Sequence, residues 1–278
     1  LACWLARWAA ASGVVEIGVT AKMSRFENLE FDRRTERKTE PTGLSDEERR
    51  LCEADAALRR GDFELALRCY AKVLETNPRN PVAWAGQVRM LIELGDFDQA
   101  NRWADSAMER FPRDPEVLAA KSVALARKGD WRAALAFSDA ALEEGAAVPY
   151  VWLARGDVLM AGREKRADYC FGKALAVAPK DWVWPWLISR VFFYYRRFSL
   201  ALKFVSQAVA MDGAQAVVWA DMGRCQHALG LAGAAAASFA QAKQLDGSCP
   251  EVLIALEESQ EIGLAQRLTG IMRRWFRV

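Results

Sequence analysis

The chain has 278 residues, 52% apolar and 27% charged, with 38 basic against 36 acidic side chains. That composition is globular, with ample core material, and excludes disordered and collagen-like classes. A net charge of +2 gives no electrostatic footprint for nucleic acid.

Residues 1–15 are apolar, with Trp4, Leu5, Trp8, Ala11 and Val15 on one helical stripe. The stretch is too short, and too charged at Arg7 and Glu16, to span a membrane. It lacks the basic start and cleavage site of a signal peptide, and nothing hydrophobic precedes the lipoprotein-like Leu1-Ala2-Cys3. Met23-Ser24-Arg25-Phe26 reads as a natural start, with residues 1–22 an upstream translation or a weakly ordered helix. Residues 26–32 form an acidic-aromatic segment that is a candidate self-ligand, and residues 32–43 read as a charged, breaker-rich linker. Residues 1–43 are therefore expected to be an extension, and residues 44–278 the folded domain.

The folded domain opens at Ser45, whose spacing to Glu48 is that of a capping box. Gly61-Asp62-Phe63 then returns as Gly95-Asp96-Phe97 and as Gly129-Asp130-Trp131, each 34 residues on. A fixed period of that size marks stacked repeats. Ala66, Ala100, Ala134, Ala167, Ala201 and Ala235 fall on one column, and Ala107, Ala141, Ala174, Ala208 and Ala242, with Val73, on a second. Small residues at these places predict close helix contact. Pro78, Pro112 and Pro179 close three units, and Gly61, Gly95, Gly129, Gly162 and Gly230 are expected to form the tight turns. Units are expected at about 47–80, 81–114, 115–148, 149–181, 182–215 and 216–249, with C-terminal helices over 250–278. In the last of these, Leu264, Leu268, Ile271, Met272, Trp275 and Phe276 share a face opposite Arg267, Arg273, Arg274 and Arg277. That helix is expected to cap the array, the rival reading being a basic amphipathic helix on anionic lipid.

This pattern resembles the tetratricopeptide repeat. Trp84, Leu118, Trp152, Trp219 and Leu253 match its Trp/Leu site, Gly156 and Gly223 its small site, and Tyr70, Phe171 and Phe239 its aromatic site. The departures are Arg50 and Pro185 at the Trp/Leu site, Gln87 and Lys121 where Leu is preferred, Arg196 for a turn glycine, and a fourth unit one residue short at its turn. The resemblance implies an all-α, right-handed superhelical solenoid of antiparallel helix pairs, with about six repeats and a C-terminal half-repeat. It also implies a concave groove lined by first-helix positions. Mapped onto this chain, units four to six offer Tyr150, Asp157, Trp186, Arg190, Phe193, Tyr194, Arg224 and His227 as the partner-binding residues. Arg190 and Arg224 are expected to make a cationic pocket with aromatic walls, suited to an acidic-aromatic segment or a terminal carboxylate. Large aromatics at helical spacing are equally the material of a core.

One histidine removes most acid–base and nucleophilic schemes, and there is no phosphate-binding loop. Catalytic, cofactor and metal sites are all read as none. A zinc site from Cys225, His227 and Cys249 fits no structural spacing, and the six scattered cysteines read as reduced thiols of a cytoplasmic protein. The expected function is a non-enzymatic scaffold or adaptor that holds a peptide or helix of another protein. Alternatives are a membrane-attached assembly or secretion factor tethered by either terminal helix, and the regulatory subunit of a separately encoded enzyme. Nucleic acid is not an expected partner, membrane contact is not favoured, and the sequence does not set the oligomeric state. The alanine column makes a direct prediction: Ala134→Leu should destabilise by about 1–3 kcal/mol through overpacking, read as a lower urea midpoint, and an unchanged midpoint would contradict close contact there.

Overall fold

In the computed structural model of the chain, residues 45–257 are described. The readings of residues 1–43, of the 26–32 segment and of the C-terminal capping helix lie outside the described residues. Twelve helices follow one another among the described residues, with no strand, and residues 250–257 open a further helical segment. They pair as α1 (Asp46–Arg60) with α2 (Phe63–Thr76), α3 (Pro81–Glu93) with α4 (Phe97–Arg110), and α5 (Pro115–Lys128) with α6 (Trp131–Gly145). The chain continues with α7 (Pro149–Ala161) and α8 (Ala167–Val177), α9 (Val183–Tyr194) and α10 (Phe198–Met211), and α11 (Ala216–Ala228) and α12 (Ala232–Asp246). Each helix packs on the next, and α3, α5 and α7 also touch in series along the inner side. The protein is an all-α repeat solenoid.

The Gly-Asp-aromatic triplet has a local explanation. Gly61 and Gly129 adopt φ of 77° and 95°, the left-handed conformation that ends α1 and α5. The next residue is the N-cap of the following helix: Asp62, Asp96 and Asp130 accept from the backbone N–H of Leu65, Gln99 and Ala133. The aromatic then starts the helix. The prolines stand two residues past the ends of α2, α4 and α8, where they cannot continue a helix. Three tryptophans at the Trp/Leu site pin the inter-unit loops. Trp84, Trp152 and Trp219 each donate their indole N–H to the carbonyl six residues earlier, at 2.9, 2.7 and 2.8 Å.

The small-residue columns are the buried seams. Ala66, Ala100, Ala134 and Ala201 have no exposed surface, nor do Val73, Ala107, Ala141, Ala174, Ala208 and Ala242. Phe171 and Phe239 press against Gly156 and Gly223, so a methyl at either glycine would overlap the ring. Tyr70 covers Gly86 of the next unit in the same way. Lys121, at a site where the repeat prefers Leu, is buried but reaches Asn101 Oδ1 at 2.8 Å and Asp105. Gln87 is fully buried, and its amide atoms find no partner among the described residues; nothing in the structure offsets this.

One turn differs from the sequence reading. The sequence places the left-handed turn of the fourth unit at Gly162, but its φ is −75°, and Arg163 takes φ 57° instead. Arg163 is 34 residues after Gly129, so the turn itself keeps the period. The missing residue falls between Arg163 and the start of α8, which consequently begins at Ala167 without a side-chain cap. Arg196 likewise holds φ 59° in the fifth unit. Both arginines accept a conformation costing an L side chain roughly 1–2 kcal/mol.

The later units also lack capping. Arg166, Arg197 and Leu231 precede α8, α10 and α12 with no side-chain cap hydrogen bond. Leu231 has φ −85° and ψ 62°, nearly the geometry of Asp130 at φ −88° and ψ 67°. Leu231→Asp should therefore supply the missing acceptor and raise stability by about 1 kcal/mol. The check is the urea midpoint, and a fall in it would show that the exposed Leu231 side chain packs usefully where it is.

Candidate functional site

The array curls back on its own beginning. α11 touches α1. Arg59 on α1 makes a bidentate pair with Asp181, at 3.0 and 3.1 Å, just before α9. Arg60 pairs with Asp246 at 3.3 Å, and the Cys249 thiol donates to the Arg60 carbonyl at 2.9 Å. The first unit thus meets the end of the fourth unit and the sixth.

α9 is the element that fills this junction. It is apolar almost all round, as a helix buried on several faces must be. Trp186 is fully buried and lies parallel to Phe63 of α2, ring centroids 6.2 Å apart. Tyr194 meets Phe97 of α4 edge to face at 6.2 Å, and Phe193 packs on Phe198 at 5.2 Å. The turns after α1 and α3 therefore dock on α9 through the aromatic of each Gly-Asp-aromatic triplet.

A charged cluster lies among these rings. Arg190 Nε reaches Glu93 at 2.8 Å, and its Nη1 reaches Asp221 at 3.1 Å. Its guanidinium lies 4.7 Å from the Phe63 ring centroid. Arg224 pairs with Asp221 at 2.8 Å and with Glu251. Asp221 also accepts the Trp186 indole N–H at 2.7 Å. Burial alone would raise the Asp221 carboxyl, but Arg190 and Arg224 outweigh it and hold the group below the usual carboxylate value. Burial would lower the Arg190 guanidinium, and Asp221, Glu93 and Glu251 together push it up instead. A second cluster is formed by Arg127, whose Nε meets Asp157 at 3.1 Å and whose guanidinium lies 3.4 Å from the Tyr194 ring centroid. Tyr195 donates its hydroxyl to Asp157 at 2.7 Å, and burial together with that carboxylate drives the phenol pKa up.

Between these groups lies a cavity of about 340 Å³. It is bounded by the turns after α1 and α3, by α9 and α11, and by residues 250–257. Of the groove residues read from the sequence, Arg190, Phe193, Tyr194 and Arg224 line it. Tyr150 and Asp157 instead line a separate void of about 30 Å³, with Arg89 stacked over Tyr150 at 4.1 Å. Trp186 is sealed behind the wall, and His227 sits half-buried near the end of α11, outside the lining. The expected cationic pocket is corrected here: Arg127, Arg190 and Arg224 all line the cavity, yet each already carries a carboxylate. The reason is that Glu93, Asp221 and Glu251 converge on the same junction. Glu251 was findable, because it repeats groove position two in the half-unit. Asp221 was signalled only by its i, i+3 spacing to Arg224; its bond to Arg190 depends on how the sixth unit meets the fifth.

Residues 57–124 match the family model described as tetratricopeptide repeat. The solved structures with a similar fold include a thermophilic tetratricopeptide-repeat protein of Thermus thermophilus, with 22% identity and a TM-score of 0.51, covering 66% of this chain and 98% of that one. A tetratricopeptide-repeat protein of Parabacteroides merdae aligns at 16% identity and a TM-score of 0.50, covering 80% of this chain and 87% of that one. No curated protein matches the sequence. The family model runs from the first unit into the third, and the structural likeness shows that the described residues share the fold of tetratricopeptide-repeat solenoids.

The charged junction has a pH signature. Because the folded Asp221 value is depressed, its contribution is fully present above the ordinary carboxylate range and is lost as pH falls through the folded value. Urea stability should therefore drop below about pH 4. Asp221→Ala should cost about 3–5 kcal/mol at pH 7, by leaving Arg190 and Arg224 short of a partner, and should flatten that acid limb. A variant as stable as its parent at pH 7 would show the network to be dispensable.

Proposed function

We propose that this protein is a non-enzymatic adaptor that seats a segment of another protein at the cavity beside α9. The tetratricopeptide fold serves generally as a protein–protein interaction scaffold, which supports binding rather than catalysis. The observation that carries the reading is the cavity itself. It is walled by Phe97, Phe193 and Tyr194, and it opens beside Leu94, which is 40% exposed. Aromatic walls around a few fixed polar groups are the usual make-up of a recognition pocket. Its lining is drawn from the first, second, third, fifth and sixth units and from residues 250–257. Cys69, Cys170, Cys225 and Cys249 are buried free thiols, which suits a reducing cytoplasm. Among the described residues no helix is long and apolar enough to cross a membrane.

Replacing Leu94 and Ile254 together by Ser removes the apolar mouth without touching the ion network. Capture of partners by the full chain from native extract, quantified by crosslinking mass spectrometry, should fall about tenfold at an unchanged melting temperature. Undiminished capture would place the ligand on another face.

A further inference from the structure

Six carboxylates line the cavity, those of Asp62, Glu64, Glu93, Asp221, Glu251 and Glu257, against the guanidiniums of Arg127, Arg190 and Arg224. Arg127 is also matched by Asp157, which stands behind the wall. The two remaining arginines face three carboxylates at the junction, Glu93, Asp221 and Glu251. Asp62, Glu64 and Glu257 then add charge of the same sign at the rim. Glu257 has no ion partner among the described residues, and Glu64 has only Arg68 at 3.9 Å, itself exposed. Ring faces are committed in the same sense, since Arg127 covers Tyr194 and Arg190 covers Phe63.

We infer that the segment this cavity accepts carries a cationic side chain, Lys or Arg, flanked by apolar residues. The inference rests on the adaptor reading above and reverses the sign of ligand expected from Arg190 and Arg224 alone. A carboxylate entering here would have to displace Glu93, Asp221 or Glu251 from a buried pair, which costs more than it returns. A cation entering meets the unbalanced negative charge of an exposed rim, an attraction that added salt weakens, and the apolar flanks cover Leu94, Phe97 and Ile254, which also line the cavity. The complementary potential selects the partner and sets its docking register.

The test uses the full chain and a randomised heptapeptide library, with a benzophenone photocrosslinker installed at Leu94. Selected peptides should be enriched in Lys or Arg beside Leu or Phe and should crosslink from position 94. Their affinity should fall roughly threefold to tenfold in the Glu64→Gln, Glu257→Gln double variant, whose exposed changes do not threaten the fold. Acidic peptides crosslinking from position 94 would keep the cavity as the site and sink the cationic assignment. Basic peptides that ignore position 94 would sink the adaptor site itself. A peptide-free crosslink to residues 258–278, or to a second copy, would assign the cavity to this chain and overturn the external partner.

Discussion

The closed form of this array depends on one helix, α9, and on the charge it carries inward. Its apolar faces remove Trp186, Leu187 and Ile188 from water, and Trp186 stacks on Phe63 from the opposite end of the chain. Arg190 stands on that same helix, in the middle of the contact. A guanidinium cannot be buried there without acceptors, and it finds them on three different units through Glu93, Asp221 and Glu251. The rings supply the driving force, about 0.5–1.5 kcal/mol per pair beyond their burial. The ions add little net energy once desolvation is counted. We read their effect as selection: only one arrangement of first, second, fifth and sixth units satisfies all of them together.

This changes how the molecule holds together. An open solenoid is stabilised unit by unit through nearest neighbours, and its ends fray independently. Here Arg59 to Asp181 and Arg60 to Asp246 tie the first unit to the end of the fourth and to the sixth. Those contacts span the chain and reach the loop before α9 and the C-terminal end of α12. The later units also carry left-handed arginines at Arg163 and Arg196 and helices without side-chain N-caps. Local defects persist where surrounding packing over-determines the geometry.

Repeat register was legible because it is local. A left-handed glycine followed by a capping aspartate needs only five residues of context, and the alanine columns need only the next helix. The fourth unit was misread by one residue because Gly162 looks like the turn glycine while Arg163 occupies the turn. The site was half legible. Arg190, Phe193, Tyr194 and Arg224 were named and do share one cavity. The pairing of its arginines was not, because the sequence shows which residues line an inner face but not how far the superhelix closes. Closure brings Glu93 across to Arg190, 97 positions away, and no periodicity in the chain encodes that pairing.

Closure also restricts what the proposed adaptor site can hold. A helix with its side chains is about 10–12 Å across, whereas the space beside α9 is about 340 Å³, the low end of the range for small-ligand sites. Seating a whole partner helix on the inner side would require Trp186 to leave Phe63 and Arg190 to leave Glu93. Those groups would then be uncovered together, because they share one helix and one junction. An extended segment faces no such demand. It places one or two side chains in the cavity and runs along the mouth past Leu94 and Ile254, leaving the ion network intact. Of the two ligand forms that concave repeat surfaces accept, an extended peptide and a helix, the proposed site at this junction is therefore the better fit for the first.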